Sequence, residues 1–468
     1  MKTSDTSDSP DVNSSDISVE RVCDIASLME TGRRLLALAI EQGAKQAEVY
    51  GMMGRSVDVE LRRDKVEMAS ESFHQGLGLR AVVAGAVGFS STSDLSLLEF
   101  VAKSAVQSAR ARGGDESWRS LPRPERMEAP QGVFDPRIAR MEPELCLDMA
   151  GAMLSGCLAV AGAEPISGGV TAIFGSDFVI NSLGVEATET GTLMNASMEA
   201  IARGEGVATG SEFFNSRSLP ASIYEALAGV GRRAADMAVS SLGGMKAESG
   251  TADVLLRPLA VAELLEYTIL PALAADNVQK GRSSLLGRLG EAIAAPHLTI
   301  VDDGLLAGGI DSSAFDGEGV PSGRTVLIEE GALLGFIYDS YTAGKESPEK
   351  RSTGNAVRSG YSDVPRVGNR NIVVGSKSTS DLLAETRGFL VSGLIGAHTA
   401  NPISGDFSVE ARNAYLIAPG GEAKPVRSLM MAGNIFELIK EIEIGRDVRS
   451  VGSIVTPTVK LRMKVVGS

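Results

Sequence analysis

The chain has 468 residues, 43% of them hydrophobic, which is enough apolar material for several packed domains without disulfide or metal staples. A net charge of −14 and an aromatic content of 4% exclude the basic, base-stacking surface of a direct nucleic-acid binder. Three cysteines, Cys23, Cys146 and Cys157, form no CxxC pair and so indicate reduced thiols rather than a disulfide framework or a cysteine zinc site.

In chain order, residues 1–18 come first, rich in Ser and Asp and too poor in apolar groups to offset the entropy of ordering, and a disordered acidic tail is expected. They lack the basic start and apolar core of a secretory signal, and no later stretch reaches the ~18 apolar residues of a membrane span. The expected location is the cytoplasm. From Val19, apolar residues at three- and four-residue spacing (Val22, Ile25, Leu28, Leu35, Leu36, Leu38 and Ile40) predict a helix that Gly43 stops. Residues 47–50, 57–61, 66–70 and 78–83 read as strands. In the second of these, Val57, Val59 and Leu61 alternate with Asp58, Glu60 and Arg62, as in a sheet with one buried face. A helix over 95–111 completes an N-terminal α+β domain, 19–112.

Pro122, Pro124, Pro130 and Pro136 mark 113–136 as a linker. The central domain, 137–242, repeats the pattern, with a helix over 142–161, strands between 168 and 210, and a helix over 221–242. Short β-like runs then dominate 243–468, giving a β-rich C-terminal domain and an α+β, multi-domain fold overall.

Common catalytic motifs are absent. The nearest approach to a phosphate loop, Thr342-Ala-Gly-Lys-Glu346, ends in Glu instead of a magnesium-binding hydroxyl, and there is no GxSxG. Only three histidines occur, His74, His297 and His398, none spaced as a helical metal pair. His398 lies in a Gly-rich loop near Asp406. Two acidic groups, Asp302-Asp303 and Asp316-Gly-Glu318, suit acid–base or cation chemistry, and equally suit turns closed by Asx hydrogen bonds.

Longer stretches carry a resemblance. The run from Gly76 to Asp94, then Gly281-Arg-Ser-Ser, Leu298-Thr-Ile-Val-Asp-Asp-Gly304, Phe315-Asp-Gly-Glu-Gly-Val-Pro321, Ser352-Thr-Gly-Asn-Ala-Val-Arg358, Asn401-Pro-Ile-Ser-Gly-Asp-Phe-Ser408 and Ala432-Gly-Asn-Ile435 together resemble the TldD/PmbA family, once called modulators of DNA gyrase. The match runs from about Val19 to the C-terminus. The family's active members carry HExxxH on a third-domain helix and a distant cysteine, which hold a catalytic zinc. Histidines five apart stand about 140° apart on an ideal helix, so such a helix must deform for both to reach one ion. In this sequence the resemblance places Leu265 and Leu270 at the histidine positions, Glu266 at the general-base glutamate and Val451 at the cysteine.

Aliphatic side chains offer no lone pair to zinc, so Glu266 would have no metal-activated water to deprotonate. The resemblance therefore implies a TldE/PmbA-type subunit with no cofactor of its own. Its expected partner is a TldD-like, HExxxH-bearing subunit that holds the zinc, in a dimer that degrades or trims unfolded peptides. Asp316, Glu318, His398, Asn401 and Asp406 are the candidates for the substrate surface. Two other readings stand beside this one: a peptidase with a metal relocated to His398, Asp406 and Asp302–Asp303, and a noncatalytic adaptor or modulator.

Overall fold

Asp24 starts the first helix, α1 (Ile25–Glu41), by accepting hydrogen bonds from the backbone of Ala26 and Ser27, amides that no helical carbonyl can reach. The buried stripe Leu28, Gly32, Leu35, Ala39 keeps helical spacing, and Gly43, at φ 99°, leads the chain away from the helix. The computed structural model describes residues 24–375, 380–421 and 423–467. The acidic tail, the helix start expected at Val19, and Cys23 lie outside the described residues.

There follow β1 (Gln46–Arg62), β2 (Lys65–Val83), β3 (Ala86–Thr92), α2 (Leu98–Arg112), α3 (Pro143–Leu158), β4 (Ala163–Asn181), β5 (Glu186–Gly204), β6 (Gly206–Ser216) and α4 (Ile223–Ser240). The six strands form one antiparallel sheet in the order β3-β2-β1-β4-β5-β6. The four short strands expected at the start are thus two long ones. Gly51, Gly54, Gly76 and Gly78 interrupt the apolar pattern without turning the chain. A Cβ at Gly51 would lie 2.3 Å from the Phe178 ring, and one at Gly78 would lie 2.0 Å from the Tyr361 carbonyl. These glycines permit close packing across the sheet faces.

Alternation along β1 decides which layer each face meets. Odd-numbered Val49, Met53, Val57, Val59 and Leu61 are buried in the helix-covered cores, the first two with α1 and α2, the others with α3 and α4. Even-numbered Glu48 and Tyr50 face the third domain, where Tyr50 packs with Phe315. Both thiols among the described residues, Cys146 and Cys157, are free and buried in the core between α3 and α4.

The third domain contains β7 (Gly250–Leu256), α5 (Pro258–Tyr267), α6 (Ile269–Ala272), β8 (Thr299–Asp303), β9 (Arg324–Glu329), β10 (Ala332–Leu333), β11 (Asn371–Gly375), β12 (Gly388–Ile395), β13 (Asp406–Ile417), β14 (Lys424–Val426), β15 (Leu429–Asn434), β16 (Glu443–Val451) and β17 (Ile454–Gly467). Strand β17 pairs with β15 and also with β7, which closes β17-β15-β13-β12-β7 into a barrel. The flap β11-β8-β9-β10 continues from β17. Helices α5 and α6 bury Leu264, Leu265, Ile269 and Leu270 in the barrel-domain core. No helix among the described residues is long and apolar enough to cross a membrane.

Candidate functional site

Helix α5 begins with Pro258, whose missing N–H costs nothing at that position, and it breaks after Tyr267. At Thr268 the backbone leaves helical angles (φ −128°, ψ −79°) and the hydroxyl donates to the Leu264 carbonyl before the chain resumes as α6. The helix therefore deforms between positions 265 and 270.

A cavity of about 530 Å³ opens beside this break, lined by Ala262, Glu263, Glu266 and Leu270, by Phe213 of β6, by Asn369, and by Val451 at the end of β16. Val451, assigned from a distant part of the sequence, is thus brought together with Glu266 and Leu270. Leu265 is not. It packs into the core and lines no part of this cavity, which takes Ala262, Glu263 and Glu266 from α5 and Leu270 from α6, beyond the break. Glu266 is exposed and has no hydrogen-bond partner among the described residues. Glu263 instead accepts from the Leu394 amide (2.6 Å) and Arg412 (2.7 Å), and burial lifts its pKa above the usual range.

Across Glu266 and Asn369 lies a larger polar cavity of about 720 Å³ between the sheet and the third domain. Tyr50, Asp177, Glu189 and Arg217 enter it from the sheet, and Ser313, Asp316, Arg358 and Arg370 from the other side. Burial, and then the neighbouring Glu189, pushes Asp177 up to about 6, while Tyr50 donates a hydrogen bond to it (3.3 Å). Glu189 accepts from the Ser313 hydroxyl and from the Ala314 amide (2.9 Å). Arg217 spends its donors on the carbonyls of Val133 and Ile310. Composition and motif scanning missed this group, because its members lie far apart in sequence, Tyr50, Asp177 and Glu189 in ordinary alternating strands and the others in loops.

Other candidates have structural work that the sequence did not reveal. Asp316 and Glu318, expected on a substrate surface, are each 1% exposed. The Asp316 carboxylate closes its turn by accepting from the amides of Glu318, Val320 and Ala356, and burial followed by repulsion from Glu318 pushes its pKa up to about 7. Asp316 also contributes to the wall of the larger cavity. Glu318 accepts from Arg80 (2.8 Å) and from the Ser340 amide (2.9 Å); burial would raise it, and Arg80 brings it below its ordinary value. His398 is exposed and meets Tyr267 edge-on, with ring centroids 6.4 Å apart. Asn401 caps its own loop through the amides of Ile403 and Ser404. Asp406 accepts from Asn434 and Ser404, which hold its pKa low.

Zinc does not fit the residues present. The cavity positions where the resemblance places ligands are hydrocarbon, and no three His, Cys, Asp or Glu side chains among the described residues assemble a metal site. Asp302, 1% exposed, is enclosed instead by Asn355 (3.0 Å) and the Arg370 amide (2.8 Å). His398, Asp406 and the Asp302–Asp303 pair therefore do not form a relocated site.

Burial pushes Asp302 up to about 6 from 3.8, so the folded protein holds this proton more tightly than the unfolded chain. Its stabilising contribution is complete below pH about 4 and is lost as pH rises through about 6, a change of up to about 3 kcal/mol. Asp302→Asn should flatten the fall in stability between pH 4 and 7 by a corresponding amount, measured as urea midpoints. An unchanged slope would contradict the assignment.

Family models cover most of the chain: PmbA/TldA metallopeptidase domain 1 matches residues 47–110, the central domain 136–242 and the C-terminal domain 249–467. An uncharacterized protein of Methanocaldococcus jannaschii is 32% identical over 434 residues, covering 92% of this chain and 99% of that protein. A metalloprotease of Archaeoglobus fulgidus is 32% identical over 251 residues, only 52% of this chain and 58% of its own length. The crystal structure of TldE from Thermococcus kodakarensis superposes with a TM-score of 0.86 at 25% identity, covering 93% of this chain and 100% of that one.

Proposed function

The chain belongs to the PmbA/TldD metallopeptidase family, and from that membership we propose that it is a TldE-like subunit which supports peptide cleavage without holding the zinc itself. One observation carries the reading: Leu270 and Val451 share a cavity with Glu266, so the glutamate is kept while the two ligand positions beside it carry only hydrocarbon. The zinc and the activated water belong to a TldD-like, HExxxH-bearing partner. Likeness to the Thermococcus TldE supports the choice of subunit type.

This chain's own task is to help hold an extended, unfolded peptide. Among the described residues, strand β6 pairs only with β5. Its odd-numbered residues turn their backbone groups outward, as Thr209 shows by accepting from Asn413, and those of Ser211 and Phe213 have no partner among the described residues. This free edge runs past the Glu266 cavity, and an extended chain can add to it as a strand.

The assignment of positions is testable by metal content. The purified chain, dialysed against zinc and then buffer, should retain essentially none. Leu270→His with Val451→Cys, using Glu266 as a third donor, should retain about one zinc per chain. Stoichiometric zinc in the parent chain would overturn the proposal, and an unloaded double variant would overturn the placement of Leu270 and Val451.

A further inference from the structure

The free edge of β6 and the Glu266 cavity beside it form the peptide groove, and at one end of it lies a small cavity that the zinc-position comparison does not explain. It measures about 60 Å³ and is lined by Ser211, Glu212 and Phe213 of β6, by Ser392 and Gly393 of β12, by Arg412 and Asn413 of β13, and by Val451. Phe213 and Val451 also line the Glu266 cavity, so the two spaces adjoin. Three polar atoms around it have no partner: Ser392 Oγ, Arg412 Nε and Asn413 Oδ1. Ser392 is only 6% exposed. Buried atoms of this kind are normally satisfied, and three around one cavity indicate a missing occupant.

The backbone is built around this feature. The β12–β13 ladder pairs Val391 with Ala414 and Gly393 with Arg412, and omits Ser392 and Asn413 between them. Asn413 has φ 52°, a left-handed conformation that asparagine tolerates better than most residues. Its amide group is oriented by two bonds that use both N–H donors, to the Thr209 carbonyl (2.7 Å) and the Ser241 hydroxyl (2.9 Å). Its oxygen is thereby left as a free acceptor. At Gly393 a Cβ would stand 3.1 Å from Arg412 Nε, so the missing side chain leaves that donor room.

The free atoms are a fixed donor, a fixed acceptor and a hydroxyl able to serve as either. Two of the three lining cations are paired, Arg412 with Glu263 (2.7 Å) and Arg449 with Glu212, and Arg257 is the third. An anion would meet the Asn413 oxygen, and a hydrocarbon would leave all three atoms unmet. A carboxamide matches, because its carbonyl accepts from Arg412 and Ser392 while its NH₂ donates to Asn413. The volume exceeds the roughly 10–15 Å³ needed for one water and suits a group of a few heavy atoms.

We propose that this cavity is a side-chain subsite selecting Gln or Asn in an extended peptide laid along β6. The proposal rests on the peptide-groove reading above. Its test uses the full-length chain and labelled decapeptides with an Ala/Ser/Gly background, in which one Gln is moved through each position and then replaced by Glu or Leu. Anisotropy titration should show one position where Gln binds roughly tenfold tighter than Glu or Leu, the scale of one net hydrogen bond to a charged group. Ser392→Ala and Arg412→Lys should each remove most of that preference. Equal binding of all peptides would mean that only ordered water fills the cavity, leaving the groove reading intact. A preference surviving both variants would also overturn the subsite, and failure of every peptide to bind would overturn subsite and groove together.

Discussion

Arg80→Ala should destabilise the protein by about 3–5 kcal/mol, the usual result of removing one partner from a buried ion pair. Arg80, on β2, is 4% exposed and donates to Glu48 (2.6 Å) and Glu318 (2.8 Å). Glu48 in turn holds Arg358, so two carboxylates and two guanidinium groups balance one another between the sheet and the third domain. Burial is tolerable only while that balance holds. Without Arg80, both carboxylates would depend on Arg358. Trp118, the chain's single tryptophan, lies over the Arg80 guanidinium at 5.6 Å, and its fluorescence can follow urea unfolding in parent and variant. A loss below about 1 kcal/mol would place the quartet among weak surface pairs and contradict its structural role.

Sequence patterning exposed the scaffold better than the site. Leu28 and Leu35 of α1 and the Val57, Val59, Leu61 alternation are buried where expected, because each depends on local spacing set against one buried face. Ile40, expected in the same helical stripe, is 41% exposed, and Gly32 and Ala39 fill the buried face instead. Strand length was hidden by glycines that serve packing: at Gly51 and Gly78 they make room for Phe178 and the Tyr361 backbone. Barrel closure between β7 and β17 joins segments about two hundred residues apart and leaves no local periodic trace.

The helix break at Thr268 fits the deformation that the resemblance implies, yet the ring of positions around the cavity differs by one member. Leu265 packs into the core, whereas Ala262, Glu263 and Glu266 form the cavity-facing side of α5 and Leu270 reaches the same cavity from α6 beyond the break. Likewise Asp316 and Glu318 were visible as polar motif residues, but sequence does not reveal that the amides of Val320 and Ala356 and the Arg80 guanidinium would enclose them. The Asp177–Glu189 pair was invisible, since it exists only through the β4–β5 register.

Peptide cleavage tests the central claim most directly. An unstructured peptide should be incubated with this chain alone, with an HExxxH-bearing relative alone, and with their equimolar mixture, each with and without a chelator. The chain alone should cut nothing, because Leu270 and Val451 give Glu266 no metal-bound water. The mixture should cut fastest, and the chelator should abolish all cutting. Chelator-sensitive cleavage by this chain alone, or a mixture no faster than the relative by itself, would contradict the account.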